Sequence, residues 1–295
     1  MNELELYKKI LESCDESLRD SFVRRMEAAE PIAEAKIRRN LEVYIPRSEE
    51  QSLERICFGV SSELQPQMIS LWHSLMRMNR SRQYAYYIRN IPDYKLLYDK
   101  FIVSALPDGD IACASDIKDA VSDTFRRKCL EFGNTDAAIA AVESGEAPLC
   151  AVKTSSFYDT AWLYSKILYK DIFVNNFSVL EDGSMLALLS RGLVDDRDNT
   201  IITVALAVRM DVLGDMAQQI SVLSECGLNI EYLAVKTQSI DDDDRKKLNI
   251  VFIELSGGML TAERTRTAFL QMEKECPFFR IMGYRKSVQG GQNDT

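Results

Sequence analysis

The stretch RRMEAAEPIAEAK, residues 24–36, decides the N-terminal fold, because it combines a helical composition with a cation near each end. Arg25 and Lys36 are eleven residues apart, and at about 100° per residue this is three turns and a small remainder. On one continuous helix both side chains would leave the same face, roughly 16 Å apart. Alanines at positions 28, 29, 33 and 35 lie around them, and we expect these to leave the face open for a ligand. The alternative is an ordinary solvated face on which the two cations bind nothing.

Composition limits the classes of protein that the 295 residues can form. This length predicts two or three domains, and no apolar run approaches the ~20 residues of a membrane span. The N-terminus MNELELYKKI is charged and lacks the apolar core of a signal peptide. Seven scattered cysteines without a CxxC pair are typical of reduced thiols, and a single histidine, His73, argues against a histidine-based metal site or a Ser-His-Asp triad. We therefore expect a cytoplasmic protein with no metal and no other cofactor.

Charge is unevenly distributed along the chain. Residues 1–90 contain fourteen basic and fourteen acidic side chains, so the net charge of −9 lies entirely in the remainder. An acidic protein is a poor general binder of nucleic acid, and we expect neither nucleic acid nor a membrane as a partner. The near-neutral N-terminal segment, where cations can cluster, is the better place for a small anionic ligand.

The N-terminal segment has the pattern of three helices. Apolar residues recur at helical spacing from about residue 4 to residue 40, and Pro31 should kink this first helix because it removes one backbone hydrogen bond. Ser48 and Gln51 match a capping box that opens a second helix, and Pro66 suits the first turn of a third. Two further helices cannot bury so long a first helix, so we expect a dimer.

The remaining two segments mix strand and helix patterns. Residues 96–192 predict an α/β layer, and residues 199–286 predict a ferredoxin-like βαββαβ unit followed by a frayed tail. Within residues 199–286, acidic residues 241–244 are expected in a solvated loop. The elements predicted within residues 96–192 are a strand over 100–106, a helix over 115–132 capped by Ser115 or Asp116, a helix over 135–144 closed by Gly145, a strand over 148–152 and a hairpin over 177–189.

Together, the three segments resemble the bifunctional chorismate mutase–prephenate dehydratases of phenylalanine synthesis. The motifs that carry the resemblance are residues 6–36, PRSEEQSLER at 46–55, WHSLMRMNRSRQ at 72–83, FGNTDAAIAAVESGEAPLCAVKTSS at 132–156, GLNIEYLAVK at 227–236 and CPFFRIMGYRK at 276–286. The resemblance implies a multidomain α and α/β protein. Its parts would be a three-helix chorismate mutase-like domain at 1–92 that forms an intertwined dimer, a truncated prephenate dehydratase-like α/β domain at 93–197, a ferredoxin-like ACT domain at 198–287 and a disordered tail at 288–295.

The resemblance also implies a chorismate site in the first domain. Its catalytic residues would be Arg25, Lys36, Glu49 and Gln83, and its substrate-binding residues Lys8, Arg47, Ser48 and Asn79. Lys8 stands where the family has an arginine, and it would serve the pocket of the partner subunit because it lies about 100° around the helix from Arg25. An ungapped match places Ser48 at a second arginine position. A lysine cannot reproduce the bidentate fork that a guanidinium forms on a carboxylate.

The chemistry of chorismate gives a reason for this arrangement. Chorismate is a dicarboxylate that rearranges to prephenate within itself, so the reaction requires no nucleophile, no metal and no proton shuttle. An enzyme must hold the reactive conformer and stabilise the negative charge that grows on the ether oxygen. Cations at both ends of a cavity can hold the two carboxylates, while Lys36 and Gln83 can donate to the ether oxygen.

The other two domains depart further from the family. The Pro-Ile-Glu-Asn-Ser loop of the dehydratases corresponds to KTSSF at 153–157, and their catalytic Thr-Arg-Phe corresponds to Ser184-Met185-Leu186. Because the chain also has sequence for one lobe rather than two, we expect no dehydratase activity. In the ACT-like segment, the candidate effector-binding residues are Gly214, Asp215, Met216 and Asn229. The acid at position 215 would disfavour the carboxylate of an amino acid.

Three hypotheses about function follow. The leading one is a dimeric chorismate mutase whose C-terminal domains serve assembly or feedback by an amino-acid effector. The alternative is a non-catalytic regulatory or scaffolding ACT protein, in which all three domains have lost their activities. A lesser alternative is an active bifunctional chorismate mutase and prephenate dehydratase, which would require a second lobe between residues 157 and 183.

Overall fold

The structure, a computed structural model, describes residues 2–156, 160–194, 200–209, 214–238 and 248–286. The chain forms two compact units, of which the first comprises the residues up to Tyr94 together with Arg266–Glu275, and the second comprises the rest. Residues 241–244 and the predicted tail at 288–295 lie outside the described residues, and the predicted domain boundaries stay a prediction. In the described parts of the chain, no helix is long and apolar enough to cross a membrane.

The N-terminal segment is all-helical, as predicted. Its helices are α1 (Glu3–Glu27), α2 (Ala29–Arg38), α3 (Pro46–Cys57) and α4 (Gln65–Asn90). The predicted first helix is thus interrupted at Ala28 and ends at Arg38. Pro31 explains the interruption, because it lacks the N–H that would bond to the carbonyl of Glu27 and its ring crowds that carbonyl.

The start of α3 corrects one prediction. The helix begins at Pro46, directly after Ile45, and no side chain caps it. The capping box predicted from Ser48 and Gln51 is therefore wrong, since both residues lie inside the helix. Proline suits the first helical position because that position needs no N–H partner and the ring already holds a helical φ. Pro66 lies in the first turn of α4, as predicted.

Two alanines of α2 determine how closely the helices approach. Ala29 and Ala33 are fully buried, and α2 packs against α4. The distance between two packed helices depends on the size of the side chains at their contact, so alanine permits a close approach. These two alanines serve helix packing, and the expectation that they leave the face open for a ligand is wrong.

Most of α1 is exposed in the single chain, and Met26 is the one buried residue among its described positions. Its exposed large apolar side chains are Leu4, Leu6, Tyr7, Ile10, Leu11, Leu18, Phe22 and Val23. Leu11 and Leu18 are the most exposed of these, at 63% and 60%. An exposed apolar surface of this kind is typical of a protein–protein interface.

The middle segment forms the predicted α/β layer within the second unit. Its elements are β1 (Ile102–Val103), β2 (Ile111–Ala114), α5 (Lys118–Phe125), β3 (Cys129–Phe132), α6 (Thr135–Ser144), β4 (Leu149–Thr154), α7 (Ala161–Ile167), β5 (Phe173–Val179), β6 (Met185–Ser190) and β7 (Leu193–Val194). Gly145 ends α6 with φ 84°, and β5 and β6 form an antiparallel hairpin, both as predicted.

The predicted helix over 115–132 is the main correction in this segment. α5 ends at Phe125, because Arg126 takes a left-handed backbone conformation with φ 51°. The residues beyond it form β3, which pairs in parallel with β2. A 3₁₀ turn precedes α5 and no side chain caps it, so the cap predicted from Ser115 or Asp116 is wrong.

The C-terminal segment has the predicted ferredoxin-like topology. Its elements are β8 (Thr200–Arg209), α8 (Asp215–Glu225), β9 (Asn229–Gln238), β10 (Leu248–Ser256), α9 (Glu263–Glu275) and β11 (Phe279–Lys286). The four strands lie in the order β11-β8-β10-β9 and are all antiparallel to their neighbours. This strand order is that of a ferredoxin-like βαββαβ unit.

Among the described residues, one nine-stranded sheet runs through the second unit in the order β3-β2-β4-β6-β5-β11-β8-β10-β9. The middle and C-terminal segments join where β5 and β11 run in parallel, at Val174 and Gly283. Gly283 has φ 145°, and a Cβ atom there would overlap the backbone of Val174, so the contact requires glycine. The predicted α/β class is confirmed, and the structure adds that the sheet is mixed.

Candidate active site

A cavity of about 250 Å³ lies among the four N-terminal helices. The last turns of α1, the second half of α2, the first turns of α3 and the middle of α4 surround it. The residues that line it are Arg25, Ile32, Lys36, Val43, Ile45, Ser48, Glu49, Ser52, Met76, Asn79, Arg80 and Gln83.

Most of the predicted site residues meet in this cavity. Those that line it are Arg25, Lys36, Ser48, Glu49, Asn79 and Gln83. Lys8 and Arg47 are exposed and lie outside the lining. The fold therefore gathers six of the eight predicted positions around one space, and the roles assigned to all eight stay predictions.

Arg25 has a guanidinium that is held over an aromatic ring. Its Cζ lies 4.7 Å from the centroid of the Trp72 ring, a cation–π distance. Its Nε is buried and has no acceptor in the parts of the chain that the structure describes. Burial lowers the pKa of Arg25, while the charge of Glu49 raises it. A buried, charged donor without an acceptor is costly, so this site favours an anionic ligand.

Lys36 extends its ammonium group into the same cavity. Nζ donates to the carbonyl oxygen of Val43 at 2.6 Å, which leaves two of its three N–H groups for a ligand. Burial lowers the pKa of Lys36, Glu49 raises it, and Arg80 lowers it further. The lysine is thus a half-buried cation that a bound carboxylate would stabilise.

Two side-chain amides of α4, those of Asn79 and Gln83, form a hydrogen-bonded chain that begins at the backbone of Arg25. Asn79 and Gln83 are four residues apart, so they lie on one face of the helix. Nδ2 of Asn79 donates to the backbone oxygen of Arg25 at 3.0 Å, and Nε2 of Gln83 donates to Oδ1 of Asn79 at 2.7 Å. One N–H of the Gln83 amide is thus used within the protein, and the second is left to donate to a ligand.

Arg80 lines the cavity and was missed by the sequence analysis. Its side chain is 11% exposed. Its Nε and Nη2 donate to the two carboxylate oxygens of Glu275 at 2.7 and 2.9 Å, and its Nη1 donates to Glu49. Its guanidinium also lies over the ring of Tyr44, at 4.9 Å. Burial acts to lower the pKa of Arg80, but the two carboxylates outweigh it and raise the pKa.

A signal in the sequence could have found Arg80. Met76, Asn79, Arg80 and Gln83 follow the spacing i, i+3, i+4, i+7, which is one face of a helix, and all four line the cavity. The resemblance predicts Asn79 and Gln83 as site residues, and the same helical face also includes Met76 and Arg80. The ion pair with Glu275 has no local signal, because 195 positions separate the two residues.

The cavity lining has a surplus of positive charge. The lining contains three cations, Arg25, Lys36 and Arg80, and one carboxylate, Glu49. Arg80 also pairs with Glu275, so three positive charges minus two negative charges leave one. Burial makes unpaired cations unfavourable, as the lowered pKa values of Arg25 and Lys36 show. Arg80 is paired with carboxylates of the protein, whereas Arg25 and Lys36 have no carboxylate partner among the described residues, so a ligand with two carboxylates can pair with both.

A second cavity, an open groove of about 500 Å³, lies beside the first. Arg25, Ile32 and Asn79 line both, and Ser21, Arg24 and Ala28 complete the groove. In the single chain, Arg25 can therefore be reached from the solvent side of α1 as well as from the cavity.

The candidate effector residues surround the start of α8. Gly214 has φ 79° at the N-cap, Met216 is 40% exposed, and Asn229 begins β9. The side chain of Asp215 is 2% exposed and accepts from Arg209 twice, from its backbone N at 2.8 Å and from its Nη2 at 2.7 Å. A carboxylate of the protein itself thus occupies this helix N-terminus.

The positions that correspond to the dehydratase motifs lack the glutamate, the asparagine and the arginine of those motifs, and Ser184 keeps a hydroxyl at the threonine position. Lys153 pairs with Asp182 at 2.9 Å, and Ser184 binds the same carboxylate. Met185 and Leu186 are buried in the sheet. Their side chains can pack and cannot transfer a proton.

Fold and site together define a class of protein: a helical unit with a cationic cavity, followed by an α/β region with a mixed sheet. Residues 7–84 match the family model of chorismate mutase type II. This range includes every residue that lines the cavity, and it confirms the resemblance of the N-terminal segment to the chorismate mutases. No curated protein matches the chain.

Several solved structures are similar to the chain. Prephenate dehydratase from Streptococcus mutans is 14% identical, with a TM-score of 0.46, over 60% of this chain and 97% of that one. Prephenate dehydratase from Arthrobacter aurescens, in complex with L-Phe, is 11% identical, with a TM-score of 0.47, over 61% and 90%. GqqA, described as a novel type of quorum quenching acylase, is 16% identical, with a TM-score of 0.47, over 60% and 95%. At these identities and TM-scores, no activity of this chain follows from the likeness.

Proposed function

We propose that the protein is a chorismate mutase that converts chorismate to prephenate in the synthesis of aromatic amino acids. The observation that carries the proposal is the cavity, in which Arg25, Lys36, Glu49 and Gln83 meet and in which Arg25 and Lys36 have no carboxylate partner among the described residues. The match of residues 7–84 to the chorismate mutase type II family supports it. The expected cytoplasmic location stays a prediction.

The cavity supplies what an intramolecular rearrangement requires. Arg25 and Lys36 bind the two carboxylates and hold the side chain of the substrate over its ring. The substrate therefore loses its conformational freedom when it binds, and this loss no longer adds to the barrier of the reaction. The N–H groups left on Lys36 and Gln83 stabilise the negative charge that develops on the ether oxygen. No proton is transferred, so no residue with a pKa near neutrality is needed.

The proposed enzyme acts as a dimer in which Lys8 of one chain completes the cavity of the other. The exposed apolar side chains of α1 need a partner surface, and the open groove lies beside Arg25 on the solvent side of that helix. Lys8 is exposed on α1, 17 residues before Arg25. At 1.5 Å per residue it lies about 25 Å along the helix from Arg25. A second copy of α1 would bury both the apolar surface and the groove.

The C-terminal segments are proposed to serve assembly and to lack dehydratase activity. The acid of Asp215 already binds Arg209, so an amino-acid effector would have to displace it. Formation of phenylpyruvate from prephenate would contradict the proposed lack of dehydratase activity, and would favour the bifunctional alternative. Stabilisation of the protein by phenylalanine in thermal unfolding, with no effect of chorismate, would favour the non-catalytic regulatory alternative instead.

The direct test is the loss of the diene absorbance of chorismate on incubation with the purified full-length protein. We expect turnover well above the uncatalysed rate, and we expect Arg25→Ala to lower kcat/KM by about 10²-fold or more, because one cationic donor to the transition state is lost. Arg19→Ala is the matched control, since Arg19 is exposed on the same helix and pairs only with the exposed Asp20 among the described residues. A wild-type protein that leaves chorismate unchanged would refute the proposal.

A further inference from the structure

Glu49 is held in the cavity by a chain of ion pairs that begins on α9. Arg80 of α4 donates to Glu49 through Nη1, and it binds both carboxylate oxygens of Glu275 through Nε and Nη2. The side chains of Glu275, Arg80 and Glu49 are 6%, 11% and 21% exposed. Residues Arg266–Glu275 of α9 belong to the same compact unit as the four N-terminal helices. The cavity therefore depends on a carboxylate from a helix of the βαββαβ segment.

The geometry at Arg80 is more specific than an ordinary surface ion pair. A bidentate pair between a guanidinium and a carboxylate fixes both the position and the plane of the guanidinium. Tyr44 covers the face of the same group, at 4.9 Å from the ring centroid to Cζ. With Nε and Nη2 fixed on Glu275, the two N–H groups of Nη1 point in fixed directions in the plane of the guanidinium, and Glu49 accepts from Nη1.

Glu49 needs such a support because α3 is weakly held. The helix has no side-chain cap, and none of its residues is buried. In the described parts of the chain, the pair between Arg80 and Glu49 is the one side-chain hydrogen bond from α3 to another helix. Arg80 donates to Oε1 of Glu49, and Oε2 is left to accept a hydrogen bond from a ligand hydroxyl.

We infer that Arg80 and Glu275 are positioning residues for the proposed chorismate mutase: Glu275 orients Arg80, and Arg80 holds Glu49 where its free oxygen accepts from the hydroxyl of chorismate. The inference rests on the proposed function. It assigns a part in the first domain's chemistry to a residue that lies 226 positions after Glu49 in the chain. Neither residue touches the reacting atoms, so each acts only through Glu49.

The test is a double-mutant cycle on kcat/KM for chorismate with the full-length protein. The variants are Glu275→Gln, Glu49→Gln and the two combined, assayed well below their unfolding temperatures. We expect Glu275→Gln to lower kcat/KM by about 10- to 100-fold, because a small displacement of a positioned group has an effect of that size. In the Glu49→Gln background the same change should cost less than about 2-fold, since residues that act as one unit are not additive.

Glu273→Gln is the matched control, because Glu273 lies on the same helix two residues earlier and is partly exposed. It should retain wild-type kcat/KM. If Glu275→Gln does not fold, Glu275→Asp takes its place in the cycle, since it keeps the charge and shortens the side chain by one methylene. A general loss of stability would lower both backgrounds equally, so only action through Glu49 gives the non-additive result.

The outcomes separate this inference from the proposed function. If the wild-type protein turns over chorismate but Glu275→Gln is as active as wild type, or its loss multiplies with that of Glu49→Gln, the inference fails and the proposed function stands. If the wild-type protein binds chorismate in calorimetry without turning it over, the same cycle on Kd decides the inference while the proposed function fails. If it neither binds nor converts chorismate, both fail.

Discussion

Lys36 is subject to two opposing influences on its pKa. Burial in the cavity favours the neutral amine and lowers the pKa, while the negative charge of Glu49 raises it, and burial is the larger of the two. The proposed role requires the charged ammonium, which binds carboxylate and donates to the ether oxygen. The catalytic competence of the site therefore depends on a lysine that loses its proton more easily than a solvated one.

This shift predicts an alkaline limit to activity. As pH rises through the lowered pKa of Lys36, the ammonium is lost and kcat/KM should fall, at a pH below that of an ordinary lysine. Lys36→Arg should move this limb to higher pH, because a guanidinium stays charged, with some loss of turnover at neutral pH. The measurement is the pH dependence of kcat/KM for both proteins. An identical alkaline limb in the variant would show that another group titrates.

The three cations around the cavity differ in their partners. Nε of Arg25 has no acceptor among the described residues, and Nζ of Lys36 has N–H groups left after it donates to Val43. Arg80, in contrast, donates to two carboxylates, those of Glu275 and Glu49. The first two are suited to bind a ligand. The third is suited to hold another residue in place.

At the scale of elements, α2 is the helix on which the geometry of the cavity depends most. It begins after the interruption at Ala28, presents Lys36 to the cavity, packs against α4 and buries Ala29 and Ala33. A shift of α2 along or away from α4 would move Lys36 relative to the amides of α4. Helix packing and the candidate chemistry are therefore coupled.

We expect Ala33→Leu to lower the free energy of unfolding by about 1–3 kcal/mol, because a larger side chain cannot fit a contact that has no free space. It should also lower kcat/KM, since α2 carries Lys36. Ala35→Leu is the control, because Ala35 is only partly buried on the same helix. Urea unfolding and chorismate turnover measure the two effects, and equal stability of both variants would contradict the packing argument.

Element boundaries show where local sequence is sufficient and where it is not. α6 was predicted with its terminal Gly145, because helical periodicity and a left-handed glycine are both local signals. β3 was predicted as part of a helix, because a short apolar run fits either conformation until β2 lies beside it. The start of α3 was misplaced because Pro46 and the pattern at Ser48 offered competing signals.

At the scale of the whole molecule, the exposed apolar stripe of α1 and the open groove at Arg25 predict an active dimer. Lys8→Ala and Arg25→Ala should each be weakly active alone. When they are unfolded together and refolded as a mixture, activity should return to about a quarter of wild type, because half of the dimers are mixed and each has one intact site. Steady-state turnover of the mixture measures this. No gain over the separate variants would mean that Lys8 does not act across the dimer.

The sequence by itself determined the helical N-terminal segment, the mixed α/β region, the order of the βαββαβ unit and six of the residues around the cavity. The helices, the strands and their order depend on periodicity and turn residues, which are encoded within a few turns or strands, whereas the six cavity residues were assigned by resemblance to a known family. Only the tertiary structure decided that Ala29 and Ala33 pack helices, that β3 is a strand, and that Glu275 supports Arg80 and Glu49. Burial, strand pairing and buried ion pairs depend on which distant residues approach, and no local pattern contains that information.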